Sequence, residues 1–351
     1  MADNLFWTLR AAGRWALIAV AQPARAEVAV SYGHRILPGP GDAVTGGIVK
    51  FQRLQGAFPN RPLDFNVLYL GSSSLPADAS RLIALARRRR AAVVLNQNGV
   101  AYPAWAGERT AALNAPLAEA LQAAGHVLYQ SAFCKEAADR FIGQPSGAWE
   151  VLHNPVDTTA FTPAAATPAG GPVLLTAGKP GYRLEAALRT VELLADDQPG
   201  VRLIVAGELG GKDAALVREL GLEARVDLLG RYAQRDAPLV FSRAHLLLHP
   251  KVNDPCPNVV LEAMACGLPV VHSASGGTLE LVGDAGVAVP SSATWEQDVP
   301  PGPLAMADGV RAVLERLDDY RELARARAVE RFDLAPWIER HRALFTKVAG
   351  V

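Results

Sequence analysis

Asp254 and Glu262 stand eight positions apart in the stretch HPKVNDPCPNVVLEAMACGLPVVHSASGGTLELVG, on either side of a proline-broken turn. Carboxylates placed at the entrance of a turn and one turn into an apolar helix can each accept hydrogen bonds from vicinal sugar hydroxyls. The same two residues also read as an N-capping Asp and a Glu at a buried edge. Pro257 falls near the first helical position, where a missing N–H costs nothing, and Asn258 and Val259 keep their amide donors free. His249 precedes the motif directly and is a candidate sugar or acceptor contact or a structural residue. Cys256 lies in the loop with no partner for a nucleophilic dyad, so its thiol reads as packing.

Two further loops carry charge or glycine at helix starts. In TAGKPGYRLEAAL, Lys179 and Arg183 bracket a Pro-Gly turn. Two cations at a helix N-terminus make a site for a diphosphate, because side-chain charge and helix dipole both favour anions; otherwise they are solvated surface charges. In PGPGDAVTGGIVKF, Gly46 and Gly47 mark the start of another helix, where amides can approach a phosphate or sugar without an intervening Cβ, or where the chain simply turns. This spacing does not fit the G-x-G-x-x-G fingerprint, which argues against an NAD-linked oxidoreductase.

These loops need strands and helices to hold them. Short β-branched runs alternate with longer amphipathic stretches, the pattern of parallel α/β units. Strands are expected at 27–32, 65–70, 92–97, 126–131 and 149–154, then at 173–178, 202–208, 225–230, 244–250 and 269–275. A Pro/Ala/Gly stretch, 162–171, reads as a linker between residues 1–161 and 172–335. The C-terminus is helical with a break near Pro336, and helix 336–351 is expected to pack back on the first domain. The fold class is α/β, with two Rossmann-like domains facing across a cleft. Ligands of open α/β sheets sit beyond the carboxyl ends of the strands, where the three loops above fall.

Lys+Arg and Asp+Glu balance at 35 each in 351 residues, which argues against nucleic-acid binding driven by a basic excess. Cys134, Cys256 and Cys266 have neither metal nor disulfide spacing, so a cytoplasmic location is expected. The N-terminal LFWTLRAAGRWALIAVAQPARA imitates a secretory signal, but its apolar run is short and follows Arg10 and Arg14; a segment packed on the first domain is expected instead. The run Arg87–Arg90 reads as cations at a helix C-terminus. With Trp7 and Trp15 it leaves peripheral contact with an inner membrane face open.

The stretch DPCPNVVLEAMACGLPVVHSASGGTLELVGDAG resembles the signature of family 4 glycosyltransferases, retaining enzymes of the GT-B fold. WEVLHNPVDTTAFTP resembles that family's interdomain crossing, with His153 and Asn154 at the crossing. VRLIVAGELGG, RVDLLGRYA and the ERF…W helix follow in the family's order. The likeness covers nearly all of the second domain and is looser in the first, through TGGIVKF, LNQNGVAYP and VLYQSAFCK.

The resemblance implies that Lys179 and Arg183, after Gly178, neutralise a departing nucleoside diphosphate. It implies that Glu262 holds ribose hydroxyls and that Asp254 faces the donor sugar. Amides of Cys256, Pro257's neighbours Asn258 and Val259, and the glycines Gly46 and Gly47 would contact sugar and phosphate, while Gly230, Arg231 and Tyr232 would hold the base. Three departures stand out. Asp254 replaces a usual Glu, the two cations are closer together and in reversed order, and Asn96, Gln97 or Asn98 occupies the place of a histidine. An amide there can bond a hydroxyl but cannot titrate near neutral pH.

The implied activity is transfer of a sugar with retention from a nucleotide-sugar donor, such as a UDP- or GDP-sugar, to a hydroxyl acceptor, a glycan or lipid-linked glycan, in polysaccharide or glycoconjugate biosynthesis. No D-x-D sequence occurs, so neither metal nor other cofactor is expected. A nucleotide-sugar epimerase of the same fold and a non-catalytic nucleotide-sugar-binding protein are the alternatives.

Overall fold

The computed structural model describes residues 26–39, 46–165, 168–178 and 181–351. The N-terminal segment with Trp7, Arg10, Arg14 and Trp15, and also Lys179, lie outside the described residues.

The first half runs β1 (Val30–Ser31), α1 (Gly46–Gln55), β2 (Val67–Gly71), α2 (Ala79–Arg89), β3 (Ala92–Gln97), α3 (Thr110–Ala123), β4 (His126–Tyr129), α4 (Ala132–Phe141) and β5 (Ala148–Val151). Its strands pair in parallel in sequence order. Every residue of β2 is buried, as expected of a parallel sheet covered on both faces.

The second half runs β6 (Val173–Ala177), α5 (Tyr182–Leu194), β7 (Arg202–Ala206), α6 (Gly211–Glu219), β8 (Val226–Gly230), β9 (Leu246–His249), α7 (Asn258–Ala265), β10 (Val270–Ser273), α8 (Thr278–Val282) and β11 (Gly286–Val289). Three helices follow: α9 (Pro303–Glu315), α10 (Leu317–Phe332) and α11 (Leu334–Ala349). In α5, Leu184, Ala187, Leu188, Val191 and Leu194 form one buried stripe, the period of a helix laid on a sheet. They pack with Leu174, Leu203 and Val205.

The second sheet is parallel, in the order β11-β10-β9-β6-β7-β8. The chain starts at β6, builds outward to β8, then returns to β9 on the other side of β6. That reversal puts the topological switch point between β6 and β9, where the loops diverge and leave a crevice at the strands' carboxyl ends. The loop after β6 leads to Arg183, and the loop after β9 contains Asp254.

Helix α11 returns to the first sheet, where Trp337, Leu344 and Phe345 join Val30, Tyr32, Phe51 and Tyr69 in one core. The break before it lies at Asp333, three residues earlier than Pro336. Asp333 caps α11 by accepting from the Ala335 amide at 3.2 Å, and Pro336 sits in the first turn, where no intrahelical donor is needed. All ten expected strands are present, with β1 trimmed to two residues, and β11 is added to them. Arg87, Arg88 and Arg89 occupy the last turn of α2, with Arg90 left-handed at its C-cap. Among the described residues no helix is long and apolar enough to cross a membrane.

Candidate functional site

The β9–α7 loop is built around Asp254. Asn253 before it takes a left-handed backbone, φ 51°, which Asn tolerates better than most side chains. Its amide bonds Ser275 Oγ at 2.8 Å. The Gly276-Gly277 turn supports the loop from behind, the Gly277 amide donating to the Asp254 carbonyl at 2.9 Å. A Cβ on Gly277 would lie 2.0 Å from the Pro255 carbonyl oxygen, so the paired glycines are a requirement of close backbone approach.

Asp254 is buried, and its Oδ2 lies 3.2 Å from His249 Nε2 and 3.0 Å from Lys251 Nζ. Burial alone would raise its pKa, but the Lys251 charge and the His249 bond more than offset this and hold the carboxyl well below the usual range. It is therefore a fixed anion, and His249 acts on it as a buried partner.

Glu262 lies just inside α7, whose helix begins at Asn258 with Pro257 as N-cap. It accepts from Gln234 Nε2 at 2.8 Å, and Arg53 of α1 lies 3.7 Å from it across the domain boundary. Burial raises its pKa, with Arg53 and Gln234 opposing. Opposite, Gly46 and Gly47 open α1. A Cβ on Gly47 would come 2.3 Å from Ser73 Oγ, so a larger residue there would displace the Ser73 hydroxyl.

These groups line one cleft of about 560 Å³, within the range of sites for small organic ligands. Gly46, Gly47 and Asn98 face it from the first domain, and Gly178, Arg183, Tyr232, His249 and Asp254 from the second. The stretch Cys256–Val259 and Glu262 complete it. Asn98 is fixed by its amide nitrogen on Ser73 Oγ at 2.5 Å. Asn96 and Gln97 are enclosed in the first domain and do not line the cleft: Asn96 accepts from Lys50 Nζ at 2.6 Å and Gln97 donates to the Gly99 carbonyl at 2.7 Å. Gly230 and Arg231 are also set back, Arg231 pairing with Glu208 at 2.9 Å on the surface.

Several residues that sequence reasoning passed over belong to the site. Lys251 and Gln234 line the cleft. Lys50, fully enclosed, has its pKa pushed down to about 7, chiefly by burial. From it a buried polar chain runs through Asn96, Gln130 and Asn154 to the Cys256 carbonyl. Glu280 of α8 accepts from the Ala132 and Phe133 amides at 2.8 and 2.9 Å, capping α4 of the first domain, and lies 3.3 Å from His153. The Cys256 thiol is buried, and burial pushes its pKa up; it is packing. A separate depression of about 490 Å³ lies at the amino ends of β6 to β8, on the side of the sheet away from these loops.

Two parallel Rossmann-like sheets facing across a cleft, with a C-terminal helix returned to the first, define a GT-B architecture. Residues 171–316 match the family model for group 1 glycosyltransferases. D-inositol 3-phosphate glycosyltransferase of Mycobacterium tuberculosis is 35% identical over 145 residues, covering 36% of this chain and 29% of that enzyme. The chain thus spans less than a third of the length of the curated relatives it matches. Anabaena Alr3699/HepE, solved with UDP, superposes with a TM-score of 0.64 at 20% identity, covering 81% of this chain and 79% of that one. Sucrose-phosphate synthase from Thermosynechococcus elongatus gives 0.66 at 18%, covering 86% and 76%.

Proposed function

We propose that this protein is a retaining glycosyltransferase that moves a sugar from a nucleotide-sugar donor to a hydroxyl acceptor. The observation that carries the reading is convergence: Asp254, Glu262 and Arg183 meet the Gly46-Gly47 helix start in one cleft at the switch point of the second sheet. Anabaena Alr3699/HepE has been solved with UDP-glucose as well as UDP, which makes UDP the first nucleotide to test.

In this reading Glu262 exchanges its Gln234 bond for ribose hydroxyls. Tyr232 flanks the base. Arg183 and Lys251 face the diphosphate, and the amides at the start of α7 add their dipole. Asp254, held ionised, accepts from the donor sugar. The acceptor oxygen attacks the anomeric carbon from the face the diphosphate leaves. As the carbon–oxygen bond to phosphate breaks, the released phosphate oxygen takes the acceptor's proton, so no side chain is needed as base. The protein supplies position and stabilisation of developing negative charge.

The test is a thermal-shift screen against UDP-, GDP- and ADP-sugars, followed by product analysis. One nucleotide class raises the melting temperature, and Asp254→Ala and Glu262→Ala abolish most transfer while staying folded. Wild-type rates in both variants contradict the proposal.

A further inference from the structure

A second cavity of about 720 Å³ adjoins the donor cleft, sharing Ser73, Arg183, Lys251 and Pro255 with it. Its walls are Tyr102, Trp105, Leu113, Leu117, Phe133 and Trp295. Trp295 comes from a strap of the second domain, residues 290–302 between β11 and α9, that crosses to the first domain. Its ring stacks on Phe133 at 5.0 Å and 18° and meets Tyr102 edge-on at 5.4 Å. The strap is tied down by the Ala104 amide on the Trp295 carbonyl at 2.9 Å and by an Arg140–Glu296 pair at 3.3 Å.

Polar side chains gather where this cavity meets the donor cleft, with Ser73, Arg183 and Lys251 common to both. Lys251 and Arg183 mark the boundary with the donor cleft, and Asp298 of the strap stands near them. Asp298 Oδ1 is buried and has no hydrogen-bond partner among the described residues, while Asn253, Lys251, Arg183 and Tyr102 oppose the burial of its carboxyl, leaving one acceptor oxygen open to a ligand hydroxyl. Away from that end the wall is apolar, with Trp105 49% and Leu113 40% exposed. A free sugar placed there would lose its water without replacement hydrogen bonds, whereas a hydrocarbon body would cover apolar surface.

We propose that this cavity is the acceptor site and that it selects an amphipathic acceptor, its hydroxyl-bearing head at Asp298 and Lys251 and its hydrocarbon body against Trp105, Phe133 and Trp295. This rests on the glycosyltransferase reading and adds the class of acceptor to it. The strap is the specificity element, because its Trp295 and Asp298 supply one apolar wall and the polar end.

Tryptophan fluorescence titration of the full chain with phenyl glucoside, hexyl glucoside and free glucose tests the assignment. Both glucosides bind saturably, glucose gives no saturable change, and Trp105→Ala weakens both glucosides at least tenfold. Leu113→Arg, at a half-exposed position, keeps the test valid if the tryptophan variant folds poorly, and it weakens both to the same degree. Equal binding of glucose and the glucosides, or affinities within twofold of wild type in both variants, overturns the proposal. Calorimetry with UDP, GDP and ADP on the wild-type protein separates the two readings: failure to bind any of the three counts against the donor cleft, and the glucoside titration alone decides the acceptor cavity.

Discussion

Glu262 of the second domain and Arg53 of the first lie 3.7 Å apart, joining the domains across the cleft. Arg53 also donates to the Pro155 carbonyl at the interdomain crossing, so the guanidinium is anchored where the chain passes between domains. Glu262 thereby holds the domains in register, and in the proposed reading it also offers an oxygen to the ligand. Glu262→Gln keeps the shape and removes the charge. Nucleoside diphosphate affinity, read by calorimetry, is expected to fall roughly 10- to 100-fold, the loss of about 1.5–3 kcal/mol for hydrogen bonds to a charged group.

Asp254→Asn separates charge from shape at the other carboxylate. The amide still meets His249, but Lys251 loses its counter-charge. Transfer rate is expected to drop on the order of 100-fold or more, with nucleotide affinity changed far less, if Asp254 faces the sugar as proposed. A kcat and Kd comparison in the two variants distinguishes the carboxylates.

Glu280 is expected to act through the domain interface. Glu280→Ala leaves the Ser131 N-cap of α4 but removes the acceptor of its first two amides and the His153 contact, and unfolding free energy is expected to fall by about 1–2 kcal/mol, as for loss of a helix-capping side chain. Small-angle scattering should show a larger maximum dimension, since this cap is supplied from the opposite domain.

Lys50 gives a pH signature. Its folded pKa, about 7, lies below the ordinary lysine value of 10.5, so between those values the unfolded chain binds more protons and stability rises with pH. The penalty is fully present below pH 7 and disappears progressively towards 10.5. Denaturant unfolding of Lys50→Met is expected to be flatter across pH 7–10 than that of wild type, and the variant more stable than wild type at pH 7.

The fold was legible in the sequence because parallel strands buried on both faces leave near-continuous apolar runs, such as FNVLYL and AHLLLHP. The strand β11 was not, since GVAV is a four-residue edge strand whose buried side is mostly its last valine. The C-terminal break was misplaced because Pro336 is tolerated in a first helical turn, while the stop is set by Asp333 capping the next helix. At the site, the motif loops mark residues close in sequence. Arg53, Gln234 and the Trp295 strap are brought in by tertiary packing, from elements whose local sequence is ordinary. The enclosure of Asn96 and Gln97 has the same cause. Strand alternation does not say which of three consecutive amides faces the cleft, and only Asn98 lies past the strand end.

The central claim is that the cleft between Asp254 and Glu262 binds a nucleoside diphosphate. Calorimetric titration of the wild-type protein with UDP, GDP and ADP tests it most directly, with Glu262→Gln and Arg183→Ala alongside. Saturable one-to-one binding of one of the three, weakened at least tenfold in both variants, is the expected result. Binding of none of them, or binding equal in wild type and both variants, would contradict it.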